Sequence, residues 1–336
     1  MNLLRKILFP FAILYGFITS IRNFLFDKGI LVSYSFDLPV IVVGNLSVGG
    51  TGKTPQIEYL IRILSERYAI ATLSRGYKRK STGFVLANNK ATAENLGDEP
   101  YQLYQKFPSI QVAVDSDRKN GIVQLLTLEK KPQVILLDDA FQHRKVKAGF
   151  YILLTAYDDV FVDDFLLPTG NLRESRSGAQ RANVIVVTKC PTTLSETEQS
   201  QIKQRIKSYS DAPVYFSTIA FDESVQSSTT SVPVATIQQS ACVLLAGIAK
   251  PASFFNYLTN SASICLTYPD HHHFTETDIQ QIKQQAGEKM IVTTEKDYVR
   301  LKDSVLKEQL YYLPIRTSLL VGSNEFDAEV LDYLKQ

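Results

Sequence analysis

Short apolar runs alternate with helix-length stretches from residue 39 onward. The run PVIVVGN (39–45) is apolar enough to be a strand buried on both faces, and a glycine-rich loop and an amphipathic helix over about 53–66 come after it. YAIATLS (68–74), SIQVAVD, PQVILLDD, YILLTA, ANVIVVTK, APVYFSTIAF, ACVLLAGIA and MIVTTEK continue the series, with helix formers between them. Strands alternating with helices predict an α/β fold with a doubly wound, mostly parallel sheet covered on both faces.

Two stretches break the alternation. Residues 75–89 (RGYKRKSTGFVLANN) carry a turn signal at Ser81-Thr82-Gly83 and read as an inserted β-hairpin. Residues 222–240 are rich in Ser, Thr and Gln and read as a linker. It divides a core at 29–221 from a smaller C-terminal α/β part at 241–336.

The first 28 residues obey a different rule. Residues 7–21 (ILFPFAILYGFITSI) hold no charge, yet 15 residues of helix span only about 22 Å, short of a bilayer core of about 30 Å. Arg5 and Lys6 precede the run as in a signal peptide, but Thr19-Ser20-Ile21-Arg22 offers no small-x-small cleavage site. Leu4, Ile7, Leu8, Phe11, Leu14, Tyr15, Ile18 and Leu25 keep helical spacing, while Phe9, Ile13 and Phe17 spoil a clean polar face. Pro10 either starts the helix or kinks it. A helix packed on the protein's own core is one reading; an amphipathic interfacial anchor over residues 1–28 is the favoured one.

Charge sharpens that reading. The 336 residues carry 36 Lys and Arg against 34 Asp and Glu, a net +2 that excludes a nucleic-acid binder working by sheer basicity. Residues 1–28 hold Arg5, Lys6, Arg22 and Lys28 against Asp27, so the leader is cationic and the body nearly neutral, a distribution suited to anionic lipid headgroups. Cys190, Cys242 and Cys265 form no CxxC pair, which indicates reduced cytosolic thiols rather than a zinc cage or a disulfide framework. The four histidines are His143 and the consecutive His271, His272 and His273, whose side chains point in different directions and make a poor metal cage.

After the first strand comes Ser47-Val48-Gly49-Gly50-Thr51-Gly52-Lys53-Thr54, a Walker A loop in its strand–loop–helix context with serine at the first glycine position. Such a loop turns backbone N–H groups toward phosphates; Lys53 reaches the terminal phosphates and the Thr54 hydroxyl holds Mg²⁺. Val134-Ile135-Leu136-Leu137-Asp138-Asp139 supplies the matching acidic strand end. The two together define a P-loop NTPase-like sheet. Thr188-Lys189-Cys190-Pro191 has proline where a guanine-reading Asp would stand, which favours ATP.

GNLSVGGTGKTP (44–55), SRGY (74–77), GDEP (97–100), DSDR (115–118), DDAFQHR (138–144), LPTGNLRES (167–175), PDHHHF (269–274) and TEKD (294–297) occur in that order. The chain thereby resembles the tetraacyldisaccharide 4'-kinases, the lipid A 4'-kinases of Gram-negative bacteria, from about residue 1 to beyond 300. Ala140 departs from the glycine more usual after the Asp pair. The resemblance implies ATP-dependent phosphorylation of the 4'-hydroxyl of a tetraacyldisaccharide 1-phosphate by an enzyme seated on the cytoplasmic face of the inner membrane. It also implies that Asp98 works with His271, Asp98 accepting the hydroxyl proton; a helix N-cap is the competing role for Asp98. Glu174 and Glu99 are further candidates for Mg²⁺ beside Thr54, Asp138 and Asp139. Arg118, Arg173, Asn45 and Arg75 are candidates for holding substrate or its phosphate, each also readable as an ordinary surface pair. Two rival readings are a membrane-recruited P-loop ATPase switch, which needs no sugar-hydroxyl base, and a soluble small-molecule P-loop kinase, in which the N-terminal helix is core.

Overall fold

The computed structural model describes residues 5, 7–270 and 272–335. Its larger sheet is built of nine strands. These are β1 (Val40–Asn45), β2 (Ile70–Ser74), β3 (Val85–Leu86), β4 (Gln111–Val114), β5 (Val134–Asp138), β6 (Phe150–Ala156), β7 (Val184–Thr188), β8 (Val214–Phe221) and β15 (Ile315–Val321). Their order across the sheet is β15-β8-β7-β6-β1-β5-β2-β4-β3. Strands β8 to β4 in that order run parallel, and β15 and β3 close the two edges antiparallel.

Strand β1 lies at the centre, buried along its whole length, because both faces are covered. Val40 and Val42 join the core on one face with Leu137 and Phe141. Ile41 and Val43 join the other, against Ile57, Leu60, Ile61 and Leu64 of the helix Lys53–Leu64. Period 2 in the strand and period 3.6 in the helix thus seat the loop between them on a rigid support.

The second sheet has six strands. Strands β11 (Cys242–Ala246), β12 (Ile264–Thr267), β13 (Met290–Thr294) and β14 (Leu310–Leu313) are parallel. Strands β9 (Ser224–Gln226) and β10 (Ser231–Pro233) pair antiparallel at one edge, so the order is β10-β9-β14-β13-β11-β12.

Three expectations change here. Residues 222–240 are not a linker: they form β9, β10 and a helical turn, Val234–Ile237, whose Val225, Val234 and Ile237 are buried in the second core. The C-terminal part does not run to the chain end, because β15 and the helix Ser323–Leu334 return to the first sheet. There Phe326 takes the edges of Tyr59 and Tyr215, and Tyr333 stacks on Phe150 at 5.3 Å. Residues 75–89 are not a self-paired hairpin; a loop leads into β3, which pairs only with β4. The turn signal at Ser81-Thr82-Gly83 marks a real bend, but no strand precedes it to complete a hairpin.

The N-terminal helix runs Phe9–Asp27, with Pro10 in its first turn, so the proline starts it rather than kinking it. Its polarity is inverted relative to a core helix. Ala12, Tyr15, Gly16, Thr19 and Asn23 form the stripe that meets the protein, whereas Phe11, Ile13, Leu14, Phe17, Ile18, Ile21 and Phe24 are exposed. Gly16 allows close approach, since a Cβ there would stand 2.6 Å from Leu166 Cδ1 and push that side chain aside. The helix is long and apolar enough to cross a membrane by length and composition.

Candidate active site

The phosphate-type loop leaves β1 at Asn45 and enters the helix at Lys53. Neighbouring backbone holds it on two sides. Val48 N–H donates to the Asn171 carbonyl at 2.8 Å, and Arg173 N–H to the Leu46 carbonyl at 2.7 Å. On the far side Lys189 Nζ donates to the Gly50 carbonyl at 2.5 Å and Thr188 Oγ1 to the Thr51 carbonyl at 2.7 Å. Gly49 and Gly52 have φ of 117° and 84°, a conformation that a side chain would strain. Two loop carbonyls are thereby drawn toward β7, and the helix presents its first, unpaired N–H groups at the loop mouth.

Four charged or polar side chains meet at that mouth. Lys53 Nζ lies 3.4 Å from Asn45 Oδ1 and 3.7 Å from Asp139 Oδ1. Arg173 grips Asp139 with both terminal nitrogens, at 2.8 and 3.3 Å, and also bonds the Asn45 side-chain oxygen. Asn45 is fully buried and donates to the Ser47 carbonyl at 2.7 Å, so it couples the loop to both cations. Burial alone would raise the Asp139 pKa, but Lys53 and Arg173 outweigh it and bring it to about 2. Asp138, more completely buried, goes the other way, to about 7, despite the pull of Lys53. Asp139 holds φ of 49°, an uncommon backbone for a non-glycine residue. The left-handed residue is therefore Asp139, and Ala140 in place of the usual glycine introduces no positive φ.

Mg²⁺ fits the donor set. Asp138 Oδ1 is a buried carboxylate oxygen without a hydrogen-bond partner, and hard cations take such oxygens. No cluster of three or more His, Cys, Asp or Glu capable of holding a metal occurs among the described residues.

The other expected residues take different places. Glu174 is buried and its carboxylate is filled: Arg181 at 2.7 Å, Gln142 at 2.9 Å and Asn23 at 2.8 Å all donate to it. It braces the N-terminal helix through Asn23. Arg118 is buried as well and bonds the carbonyls of Asp115 and Asp138, at 3.2 and 3.3 Å, so it props the acidic strand end. Arg75 is exposed. Glu99 lies 3.4 Å from Lys296. Asp98 is the first residue of the helix Asp98–Lys106, and Gly97 occupies the N-cap, so the capping role for Asp98 does not hold. Arg300 grips the Asp98 carboxylate through Nε at 3.1 Å and through Nη2. His271 lies outside the described residues. Its neighbour His272 bonds Asp278 at 3.1 Å and packs on Tyr268. His143 is held near pKa 4 by burial and by Arg118, and is neutral at physiological pH.

Sequence reasoning missed Thr188, Lys189, Gln142 and Arg300 as members of this region. Thr188 and Lys189 bear on base choice only through the proline at 191, and no local pattern announces their bonds to the loop carbonyls. Arg300 lies one helical turn beyond the TEKD motif.

A parallel sheet, a Walker-type loop on its central strand and an acidic strand end beside the loop's lysine define a P-loop nucleotide-dependent enzyme. The family model described as tetraacyldisaccharide-1-P 4'-kinase matches residues 4–335. The chain belongs to that family. The tetraacyldisaccharide 4'-kinase of Flavobacterium johnsoniae is 64% identical over 336 residues, covering 100% of this chain and 99% of its own length. That of Bacteroides thetaiotaomicron is 44% identical, covering 99% and 94%. A crystal structure of LpxK from Aquifex aeolicus in complex with ATP superposes with a TM-score of 0.79 at 31% identity, covering 99% of this chain and 100% of that one.

Proposed function

We propose that the protein transfers the γ-phosphoryl group of ATP to the 4'-hydroxyl of a tetraacyldisaccharide 1-phosphate, at the cytoplasmic face of the bacterial inner membrane. The observation that supports this best is the meeting of Lys53, Asp139 and Arg173 beside a Walker-type loop, in a chain of this family. Phosphoryl transfer needs in-line positioning, charge neutralisation and a proton acceptor, and little covalent chemistry from the protein.

The residues divide those tasks. Lys53 reaches for the terminal phosphates, and Asp139, kept ionised, holds Lys53 and Arg173 in place until nucleotide arrives. Thr54 and Asp138 would hold Mg²⁺, which when bound offsets charge on the β- and γ-phosphate oxygens. Asp98 takes the proton from the 4'-hydroxyl, with His271 as its partner in the dyad. The outward apolar face of the helix Phe9–Asp27 enters the lipid, and the cations that flank it, Arg5 and Lys28, meet anionic headgroups. This disposition favours a membrane-seated kinase over a soluble one.

The test is incubation of the purified protein with γ-labelled ATP and disaccharide 1-phosphate lipid in mixed micelles. Label in the lipid is expected. Active nucleotide turnover without lipid-borne label would point to the ATPase switch and remove this reading.

A further inference from the structure

We infer that Arg300 is a positioning residue for the phosphoryl transfer, holding Asp98 and the main chain next to His271 in one fixed relation. The inference rests on the reading of Asp98 as proton acceptor and extends it to a residue of the second sheet's domain.

Arg300 lies on the helix Glu295–Leu301, and 202 positions separate it from Asp98. Its guanidinium directs three of its five N–H donors to one place. Nε donates to Asp98 Oδ1 at 3.1 Å, Nη2 bonds Asp98 Oδ2, and Nη1 donates to the His272 carbonyl at 3.1 Å. Nη1 also lies 3.6 Å from Asp297 Oδ1. Asp297 is itself fully buried and anchored, its Oδ2 accepting from Gly247 N–H at 2.8 Å and Thr294 Oγ1 at 2.7 Å. A rigid line therefore runs from the second core through Asp297 and Arg300 to Asp98 and to the backbone one residue beyond His271.

A merely architectural role is already filled by neighbours. Lys106 bonds Glu295 at 2.5 Å, Lys296 lies 3.4 Å from Glu99, and Lys302 bonds Gln105 at 3.0 Å, so the two helices are tied along their length. Arg300 adds the contact that ends on the Asp98 carboxylate. Its planar fork fixes the orientation of both carboxylate oxygens, which a lysine's single ammonium cannot do. The directions of Asp98 and of the main chain at His272 are thus set together, although the two lie far apart in the chain.

The experiment uses the full chain with ATP and disaccharide 1-phosphate lipid in mixed micelles, comparing Arg300→Met, Arg300→Lys, Asp98→Asn and the Asp98→Asn/Arg300→Met double variant. Misplacing a reacting group by an ångström costs on the order of 100-fold, so kcat of Arg300→Met is expected to fall about 100-fold with KM for ATP unchanged. Arg300→Lys is expected to recover less than about a tenth of the wild-type rate. Added guanidinium ion at millimolar concentration should restore part of the Arg300→Met activity. The double variant should be no slower than Asp98→Asn alone, because both act on one step. If Asp98→Asn is inactive while Arg300→Met retains its kcat, or if the two losses multiply, the positioning role is overturned and the base reading survives. If Asp98→Asn itself retains its kcat, the base reading fails and the inference with it. Loss of ATP binding in both Arg300 variants would mark the arginine as a folding residue and also overturn the proposal.

Discussion

Glu295 offers a test of how the two domains are held together. It is buried where three helices meet, beside Glu58 of Lys53–Leu64 and Lys106 and Gln102 of Asp98–Lys106. Lys106 Nζ bridges the two carboxylates, at 2.7 Å from Glu58 and 2.5 Å from Glu295, and Arg62 also pairs with Glu58. Burial first, then the Glu58 charge, raise the Glu295 pKa from 4.5 to about 7, against the opposing pull of Lys106 and the Ile315 N–H. A carboxyl raised on folding binds a proton more tightly in the native state than in the unfolded one. Its contribution to stability is therefore lost as pH rises from 4.5 through about 7, and the full loss corresponds to about 3 kcal/mol. Glu295→Gln removes the titration. Any constant cost of losing the Lys106 contact cancels when the difference between variant and wild type is tracked with pH. That difference should move in the variant's favour by about 2–3 kcal/mol between pH 5 and pH 8, which for 336 residues is about 3–4 °C in Tm. The assay is thermal unfolding of both proteins across that range at constant ionic strength. A difference in Tm that stays flat with pH would refute the reasoning.

The same geometry carries other outcomes. Lys189→Met loses a charged hydrogen bond to the Gly50 carbonyl and should raise KM for ATP about tenfold without changing KM for lipid, read from paired saturation curves. Glu174→Ala strands the Arg181 cation, so Tm should fall by about 4 °C or more, while the Mg²⁺ concentration for half-maximal activity stays as in wild type. A shifted Mg²⁺ requirement would instead make Glu174 a ligand. Ile13→Asp with Phe17→Asp should weaken partition into anionic vesicles at least about 100-fold, since each large apolar side chain contributes about 1.5–3 kcal/mol when buried. ATP binding should be unaffected, as measured by nucleotide titration in parallel.

Most of the larger sheet is legible in the sequence because its strands are buried on both faces and so read as unbroken apolar runs. Val40–Asn45 and Val134–Asp138 are of that kind, and the loop between strand and helix carries its own glycine signature. Features made by distant pairing are not legible. The strand Ser231–Pro233 looks like linker because its residues are exposed or half-buried at a sheet edge. Residues 315–334 belong to the first sheet only because Ile315–Val321 finds Val214–Phe221, a pairing no local pattern announces. In the site, residue types and motifs are legible but their commitments are not. Glu174 and Arg118 are charged residues in the right motifs, yet each is spent on buried partners that lie far off in sequence or belong to backbone.

The place where the N-terminal helix is fastened bears directly on how a lipid could be presented to the nucleotide loop. Tyr15 donates to the Arg173 carbonyl at 2.8 Å, Asn23 bonds Glu174, and Arg22 donates to the Gln142 carbonyl at 2.8 Å. Arg5 bonds Asn171 at 3.3 Å, and Gly16 lies against Leu166. All of these partners belong to residues 142–174 that also hold the loop: Asn171 through Val48, Arg173 through Leu46, Asn45 and Asp139, and Gln142 through the Asn45 carbonyl. Hence one stretch of chain carries the N-terminal helix on one side and the phosphate-type loop on the other. An anchor on a flexible tether would only raise the local concentration of substrate. Under the proposed membrane seating, a helix bonded rigidly beside the loop would also fix the angle at which a headgroup held in the bilayer meets Lys53, and orientation of that kind is where much of the rate of a bimolecular transfer originates. On that reading the polar stripe of this helix belongs to the catalytic arrangement as much as its apolar face does, and Asn23→Leu should lower kcat on micellar lipid while leaving membrane partition intact. Equal losses in both measurements would show that the helix serves only to recruit.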